Sequence, residues 1–233
     1  MKEKKPTGRK PAKKNRLPLN LDRVLGTAIA LADKDGLAAL SMRKLGQELK
    51  VEAMSLYNYV DSKEALLDAI IDRVIAETAI SGEQTDWKEV LRERAKTMRA
   101  VFHRHPWAMG LLESRTTAVP SAVNNIEAVA GSLRRAGFPP GLILQTVSAT
   151  DCYIYGFALQ ETSSPFKSNE EIKAVVEHFS HELSREQFPY LSEILVDYVL
   201  KEGVDFDRSF EKGLEFMLTG LEKALKEQPR KKG

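Results

Sequence analysis

The sequence of 233 residues predicts an all-α protein, with a small N-terminal helical unit followed by a larger helical bundle. Apolar residues recur at helical spacing between breaks that contain Gly or Pro, and no segment alternates with the period of two that is typical of strands. Apolar residues make up 42% of the chain, which is enough to bury a core. No stretch approaches the roughly 18–20 apolar residues that span a bilayer, so we expect no membrane partner.

The first ordered elements are predicted from apolar stripes and their caps. A stripe that begins at Leu21 indicates a helix, with Asn20 as its N-cap and Gly36 as a left-handed stop. A second helix is expected after Ser41, which is also an N-cap. Three residues, 50–52, separate this helix from a short helical segment over residues 53–60. A capping box follows, in which Asp61 caps the next helix and Glu64 reaches back.

The rest of the chain is predicted to be helical as well. Asp86 and Glu89 form a second capping box, and the helix that they open ends at residues 105–106. Later breaks fall at Pro120, 137–141, 163–165, Pro189 and Gly203, with helical patterns between them. We therefore expect four regions: a basic arm (1–16), a small helical domain (17–63), a connecting helix (64–81) and a bundle (85–228).

The charge distribution is uneven along the chain. Residues 1–16 carry eight basic side chains and one acidic one, a balance of +7, so the other 217 residues must sum to −5 for the total of +2. Such an arm indicates an anionic partner, although a solvated tail has the same composition. The single cysteine, Cys152, cannot form an intramolecular disulfide, and the charged N-terminus does not resemble a secretory signal. We therefore expect a reduced, cytoplasmic protein.

The segment 41–60 has the arrangement of a helix-turn-helix, since two short helices are joined by three residues and braced by a preceding helix. At 100° per residue, Ala53, Leu56 and Val60 face the core, whereas Met54 and Asn58 point outward. The outward face also carries Ser55, Tyr57 and Tyr59. Amide, hydroxyl and apolar groups suit base edges, phosphates and thymine methyls, so this face is a candidate reader of the DNA major groove.

Residues 41–70 resemble the DNA-binding signature of the TetR family, most specifically in the run from Leu56 to Leu66. The C-terminal portion is more weakly similar to the tetracycline-repressor subgroup, at Trp87, 137–138, 213–215 and 220–223. One departure is Lys50, where many members have a turn glycine, so a lysine at positive φ is expected there.

The resemblance implies a ligand-responsive transcriptional regulator, expected to be a repressor, that binds a palindromic double-stranded operator as a homodimer and needs no cofactor. It also implies residue roles. Base and phosphate contacts are expected from Ser41, Met42, Arg43, Ala53, Met54, Ser55, Tyr57, Asn58, Tyr59 and Lys63.

The C-terminal part suggests a ligand pocket and a dimer interface. Aromatic and sulfur side chains crowd two segments, and such side chains form either an ordinary core or, as the resemblance favours, an apolar pocket. Its candidate residues are Met98, Phe102, Trp107, Met109, Leu112, Cys152 and Tyr155. Ala79 and Leu112 stand where tetracycline-binding members have histidines, which implies another small effector, uncharged and largely apolar.

The last helix has one strong apolar face, which is buried either within the chain or between two copies. The resemblance favours a dimer through this helix and the helix over about 139–162. The candidate interface residues are Phe210, Leu214, Met217, Leu218 and Leu221.

Two other functions remain open from the residues alone. A helical small-molecule-binding protein would lack operator recognition, against which the outward aromatic face argues. An enzyme would need a catalytic motif, and we find no phosphate-binding glycine loop, no GxSxG, no HExxH and no paired-cysteine motif. His178, His181 and Glu182 share one helical face at a spacing that metal sites use, but such a polar face is more often solvated, and no metal is expected.

Overall fold

The computed structural model describes residues 18–80, 86–166 and 168–228, and these residues are helical with no strand, as the sequence predicts. The basic arm and residues 81–85 lie outside the described residues. The α-helices are α1 (Leu21–Asp35), α2 (Met42–Leu49), α3 (Lys63–Ala76), α4 (Trp87–Arg104), α5 (Trp107–Glu113), α6 (Pro120–Arg135), α7 (Pro140–Ser163), α8 (Asn169–Glu182), α9 (Pro189–Ser192), α10 (Leu200–Glu202) and α11 (Phe206–Lys226). Two 3₁₀ helices, Leu37–Ala39 and Ala53–Asn58, and a π-helix, Glu193–Val199, complete the elements.

The chain divides into two compact units, and the division falls between Ile70 and Ile71 within α3. In the N-terminal unit the predicted N-caps of α1 and α2 are present. The Asn20 side chain accepts the Arg23 N–H at 2.9 Å, and the Ser41 hydroxyl accepts the Lys44 N–H at 3.2 Å. Gly36 ends α1 at φ +80°. The fully buried side chains of this unit come from every one of its main helices: Val24, Ala28, Leu45, Leu56, Leu66 and Ile70.

The turn after α2 depends on two residues. Lys50 adopts φ 59° and ψ 42°, the left-handed conformation expected for it, at a cost of about 1–2 kcal/mol for a residue with a side chain. Gly46 allows close backbone packing, since a Cβ there would lie 2.9 Å from the Val51 carbonyl oxygen and 3.2 Å from the Ala53 nitrogen. The positive φ of Lys50 was predicted from the sequence, whereas the close packing at Gly46 was not.

Two local predictions are corrected, one in the type and end of a helix and the other in the cap of α3. The segment predicted as a helix over 53–60 is a 3₁₀ helix that ends at Asn58, with backbone bonds from Ser55 to Glu52 and from Tyr59 to Leu56. Six residues allow few i→i+4 bonds, so the tighter i→i+3 pattern takes their place. The cap of α3 is Ser62 rather than Asp61, because the Ser62 hydroxyl accepts the Ala65 N–H at 3.0 Å.

The C-terminal unit is built around α4, which packs against α6 and α7, while α11 packs against α7. Trp87 meets Phe138 edge to face at 4.9 Å, and Gly137 makes the preceding turn at φ +95°. Four ion pairs join α4 to α11 in antiparallel order: Lys88–Glu222, Arg92–Glu215, Lys96–Glu211 and Arg99–Asp207. Solvent-exposed pairs contribute little each, so the apolar face of α11 supplies most of the packing energy.

Among the described residues, no helix has both the length and the apolar character needed to cross a membrane.

Candidate nucleic-acid interface and ligand cavity

The recognition segment Ala53–Asn58 presents a polar and aromatic face on a buried anchor. Leu56 and Val60 are 0% and 6% exposed, so they fix the segment to the core. Met54 is 76% exposed, Tyr57 is 42% exposed and Asn58 is exposed. Exposure of the apolar parts of Met54 and Tyr57 to water is unfavourable, so this face has the character of a contact surface.

Tyr59 differs from its neighbours because part of its hydrogen-bonding capacity is already used. Its hydroxyl donates to the Leu19 carbonyl oxygen at 2.9 Å, one residue before the α1 cap. The ring is 37% exposed and can contact DNA, but the proton of the hydroxyl holds the start of α1. Tyr59 therefore holds the start of α1 through its hydroxyl, and its predicted base-edge contact stays a prediction for the exposed ring.

The start of α2 supplies the second part of the candidate interface. Arg43 is exposed, and Ser41 caps the helix with its hydroxyl. Met42 is only 9% exposed and belongs to the core, so its predicted DNA contact is not supported by its position. Lys44 pairs with Asp35 at 2.7 Å, and this hydrogen bond lowers the pKa of the Asp35 carboxyl.

The remaining predicted contacts lie beside this face. Lys63, the first residue of α3, is exposed, and the helix N-terminus there favours a phosphate near its side chain. Ser55 is half-buried. Ala53 is half-buried as well, which suits a short side chain beneath the outward face.

A cavity of about 200 Å³ lies within the C-terminal unit, among the end of α3 and helices α4 to α7. Three of the predicted pocket residues line it, namely Met98, Leu112 and Tyr155. Phe102 is fully buried and packs edge to face on Tyr155 at 5.2 Å, so it supports the wall.

Three other candidate pocket residues are not part of this cavity wall. Trp107 and Met109 do not line the cavity, and Cys152 is exposed. The α7 residues that reach the cavity are Asp151 and Tyr155, four positions apart. Cys152 follows Asp151 by 100° around the helix, so its thiol is turned away from that face.

The cavity wall also contains charged groups that were not predicted from the sequence. Arg94 is 5% exposed, and its Nη1 lies 2.6 Å from the Asp151 carboxylate. Burial raises the pKa of Asp151 despite this guanidinium, and the Glu113 charge raises it further. Burial also raises the pKa of Tyr155, and the nearby charges of Asp151 and Glu113 raise it further. A signal existed, since Arg94 follows Trp87 and Leu91 by seven and three residues and so falls on the apolar stripe of α4.

The end of α3 forms part of the same wall and is held by α6. The Asn125 side-chain amide donates to Thr78 Oγ1 at 2.7 Å and to the Ile75 carbonyl oxygen at 3.3 Å. The Ser121 N–H donates to the Asp72 carboxylate at 2.8 Å. Ile75, Thr78 and Asn125 all line the cavity, so a ligand there contacts the bonds that terminate α3.

A larger open groove of about 880 Å³ lies between α4 and α11. Its floor is an ion-pair network, in which Arg99 bonds Glu161 and Asp207, and His103 Nε2 lies 2.8 Å from Glu161. Burial alone would raise the pKa of Glu161, but Arg99 and His103 outweigh it and lower the pKa. These charged groups are paired with one another, so they are less available to bind a ligand. The groove is therefore a weaker candidate for the ligand site than the smaller cavity, despite its larger volume.

The candidate dimer residues on α11 are mostly buried inside their own chain. Phe210, Leu214 and Leu218 are 1–2% exposed, and Phe210 stacks on Tyr153 of α7 at 5.3 Å. All three side chains are therefore buried within the single chain, where the α7 rings of Tyr153 and Phe157 contact Phe210, and an interface through them is not supported by their position. Met217 and Leu221 are half-buried.

Other apolar side chains of the same two helices are exposed instead. Leu144 and Leu159 on α7 are 72% and 57% exposed, and Phe216 on α11 is 75% exposed.

The histidines of α8, His178 and His181, are exposed. Among the described residues, no group of three or more His, Cys, Asp or Glu side chains is placed to hold a metal ion.

Comparison with known proteins identifies both units. Residues 24–70 match the family model of bacterial regulatory proteins of the tetR family, and residues 81–225 match the tetracyclin repressor-like C-terminal domain. The HTH-type transcriptional repressor DrrR1 of Streptomyces coeruleorubidus is 32% identical over 225 residues, which cover 93% of this chain and 82% of that protein. The tetracycline repressor protein class E of Escherichia coli is 30% identical over 149 residues, covering 63% and 70%.

Solved structures give the same result. Apo ActR from Streptomyces coelicolor matches with a TM-score of 0.75 and 28% identity, covering 91% of this chain and 98% of that one. ActR in complex with actinorhodin matches with a TM-score of 0.73 and 28% identity, covering 90% and 99%.

Proposed function

The chain belongs to the TetR family of bacterial regulatory proteins, and we propose that it represses transcription by binding a palindromic operator as a homodimer and releasing it when an effector fills the cavity. It is a ligand-responsive DNA-binding regulator, as are the relatives whose names describe transcriptional repressors. Residues 17–63 would form the DNA-binding domain, 64–81 the connecting helix and 85–228 the ligand-binding and dimerisation domain. Because its partner is operator DNA, it would act in the cytoplasm.

The observation that carries this proposal is the exposed face of the recognition segment. Met54 supplies an apolar contact, Asn58 an amide that can pair with adenine, and Tyr57 a hydroxyl for phosphate. Arg43 and Lys63 add positive charge next to this face. The 17–63 region is otherwise balanced, with six basic and six acidic side chains, so base contacts rather than net charge must supply specificity.

A homodimer follows from the need to read two half-sites at a fixed separation of about 34–36 Å. We assign its interface to the exposed apolar residues of α7 and α11, Leu144, Leu159 and Phe216, in place of the buried stripe of α11. These side chains have no role in the core of the single chain, and a two-fold arrangement of α7 and α11 would remove them from water.

Effector release would act through the end of α3. An effector in the cavity contacts Thr78 and Asn125, whose hydrogen bond fixes the last turn of that helix. Because α3 continues without a break from Lys63, a change at its end changes the helix that follows the DNA-binding residues in the chain. We expect α3 to have one position in the operator-bound form and another in the released form. An effector that binds one of these forms more tightly than the other shifts the equilibrium between them.

The experiment begins by selecting bound fragments from random DNA with the full-length protein, which yields the operator. Binding of Asn58→Ala is then measured on this operator and on an unrelated duplex. We expect a loss of about 1–3 kcal/mol on the operator and almost none on the unrelated duplex.

The matched control is Asn124→Ala, which removes an exposed amide from α6 and should bind both duplexes normally. Equal losses on the two duplexes with Asn58→Ala would contradict a base-reading role. Failure to select any DNA would contradict the proposed function as a whole.

A further inference from the structure

Most polar groups of the cavity wall are paired with one another. The Asn125 amide donates to Thr78 Oγ1 and to the Ile75 carbonyl oxygen, and the Thr78 hydroxyl donates to the same carbonyl at 2.8 Å. Arg94 Nη1 lies 2.6 Å from the Asp151 carboxylate, so the two charges of this pair compensate each other. These pairs leave the buried part of the wall without a net charge for a ligand to balance.

One buried donor of the wall is not satisfied. Arg94 is 5% exposed, and its Nε has no hydrogen-bond partner among the described residues. Its Nη1 is engaged by Asp151 and by the Met98 sulfur at 2.7 Å, and Met98 lines the cavity one turn further along α4. Buried donors in folded proteins are nearly always hydrogen-bonded. The unpaired N–H therefore favours a ligand that brings an acceptor to this point.

The rest of the wall limits the ligand to a small apolar body. Its surface comes from aliphatic and thioether side chains and one aromatic ring, namely Ile75, Met98, Leu112, Ala122, Ile126 and Tyr155. An apolar cavity of about 150 Å³ can hold a benzene ring, and this cavity has about 200 Å³. Its volume therefore suits about one or two aromatic rings.

We propose that the effector of this cavity is an uncharged aromatic ketone or a related carbonyl compound, whose carbonyl oxygen accepts the hydrogen bond of Arg94 Nε. This inference rests on the proposed function and deepens it, because it names the polar group that the effector carries. It adds one hydrogen-bond acceptor to the uncharged, largely apolar effector that the resemblance implies.

Other classes of ligand fit these contacts less well. An ammonium group has no lone pair, so it would leave the Arg94 N–H unpaired. A carboxylate would compete with Asp151 for the guanidinium, in a wall where burial already raises the pKa of Asp151. A hydrocarbon would fill the space but gain no hydrogen bond. Glu113 also lines the cavity, but it is exposed, so water solvates its carboxylate and it needs no counterion from the ligand.

The test compares three probes of one shape: 2-acetylnaphthalene, its hydrocarbon isostere 2-isopropenylnaphthalene, and 2-naphthoate. Their affinities for the full-length protein are measured by equilibrium dialysis at neutral pH. We expect the ketone to bind more tightly than the hydrocarbon, although the hydrocarbon leaves water more readily, and more tightly than the naphthoate. Equal binding of ketone and hydrocarbon, tighter binding of the naphthoate, or no binding of the ketone would each overturn the proposal.

Variants on α4 locate the hydrogen bond. Arg94→Lys keeps a positive charge beside Asp151 but removes the Nε–H, so the ratio of ketone affinity to hydrocarbon affinity should fall about tenfold or more. This ratio cancels the different costs of removing the two probes from water. The matched control is Arg92→Lys, because Arg92 pairs with Glu215 and does not line the cavity, and it should keep the wild-type ratio. An unchanged ratio in Arg94→Lys would overturn the proposal.

A second variant and a spectroscopic measurement keep the test decisive if Arg94→Lys folds poorly. Arg94→Met combined with Asp151→Leu removes both charges of the pair together, which proteins often tolerate, and should give the same fall in the ratio. The carbonyl stretching frequency of bound 2-acetylnaphthalene reports the hydrogen bond directly. It should be lower in the wild type than in the double variant, and equal frequencies would contradict the bond to Arg94.

A cavity-filling variant shows that the probes bind at this place. Leu112→Trp should abolish binding of both the ketone and the hydrocarbon, because the larger side chain occupies their space. Full binding of the ketone to Leu112→Trp would place it outside the cavity and overturn the proposal.

Failure of the inference and failure of the proposed function are distinguishable. If the hydrocarbon binds as tightly as the ketone and either probe releases the operator, the carbonyl acceptor is wrong and the regulator stands. If the ketone binds as described but the operator complex is unaffected, the site chemistry is right and the proposed release mechanism is wrong.

Discussion

Replacing Gly46 with alanine tests the packing on which the DNA-binding unit depends. Gly46 lies in α2, and a Cβ there would lie 2.9 Å from the Val51 carbonyl oxygen and 3.3 Å from the Ala53 Cα. These neighbours are backbone atoms of the turn and the recognition segment, so they can yield only if that segment moves. Overpacking of this kind costs about 1–3 kcal/mol, while alanine returns about 1 kcal/mol of helix propensity.

The contacts are with backbone atoms, so the steric cost outweighs the propensity gain, and Gly46→Ala should lower the free energy of unfolding by up to about 2 kcal/mol. Gly26→Ala is the matched control. Gly26 lies in the middle of α1, is exposed, and would place its Cβ in open space. It should therefore raise the free energy of unfolding by about 0.5–1 kcal/mol.

The measurement is urea unfolding of the two variants and the wild type, followed by circular dichroism at 222 nm. Operator affinity should fall severalfold for Gly46→Ala, because the recognition segment shifts, and stay unchanged for Gly26→Ala. If both variants stabilise the protein alike, the close approach between α2 and residues 51–53 is not real. If Gly46→Ala destabilises without changing operator affinity, the recognition segment does not depend on this contact.

The interface and the arm provide two further predictions. Phe216→Glu should give monomers in analytical ultracentrifugation and abolish operator binding. The control Val123→Glu, which places a charge at an exposed apolar site on α6, should remain a dimer. If Phe216→Glu is still a dimer, the interface lies elsewhere. Deletion of residues 1–14 removes seven positive charges and one negative charge, so affinity should fall on all DNA sequences and the salt dependence should become shallower. An unchanged slope would leave the arm in solvent.

The N-terminal unit was predictable from sequence because its signals are local. Asn20 and Ser41 cap helices through atoms three residues away, and Gly36 ends α1 through its own φ. The positive φ of Lys50 followed from comparison with the turn glycine of similar proteins. The N-cap of α3 was assigned to Asp61 because Asp61 and Ser62 are adjacent candidates. Only the register of the buried residues in α3 decides which of the two caps the helix.

The ligand cavity and the interface were less predictable because they depend on which surfaces meet. The stripe that includes Phe210 and Leu218 shows that one face of α11 is covered, but periodicity cannot tell whether the cover is the same chain or another. The exposed Phe216 is the residue that distinguishes the two cases, and it does not belong to the stripe. In the cavity, Arg94 stood within an apolar pattern, yet its partner Asp151 is 57 residues away and gave no local signal.

The contact between Asn125 and Thr78 leads to a quantitative prediction about coupling. If the cavity and the operator are linked through the end of α3, the factor by which an identified effector weakens operator binding must equal the factor by which the operator weakens binding of that effector. Typical couplings of about 1–3 kcal/mol correspond to roughly 5–150-fold, which calorimetry with and without saturating operator resolves. Asn125→Ala removes the bonds to Thr78 and Ile75 and should reduce both factors together, whereas Asn124→Ala should reduce neither. A variant that keeps the full coupling without Asn125 would show that the signal leaves the cavity through another contact.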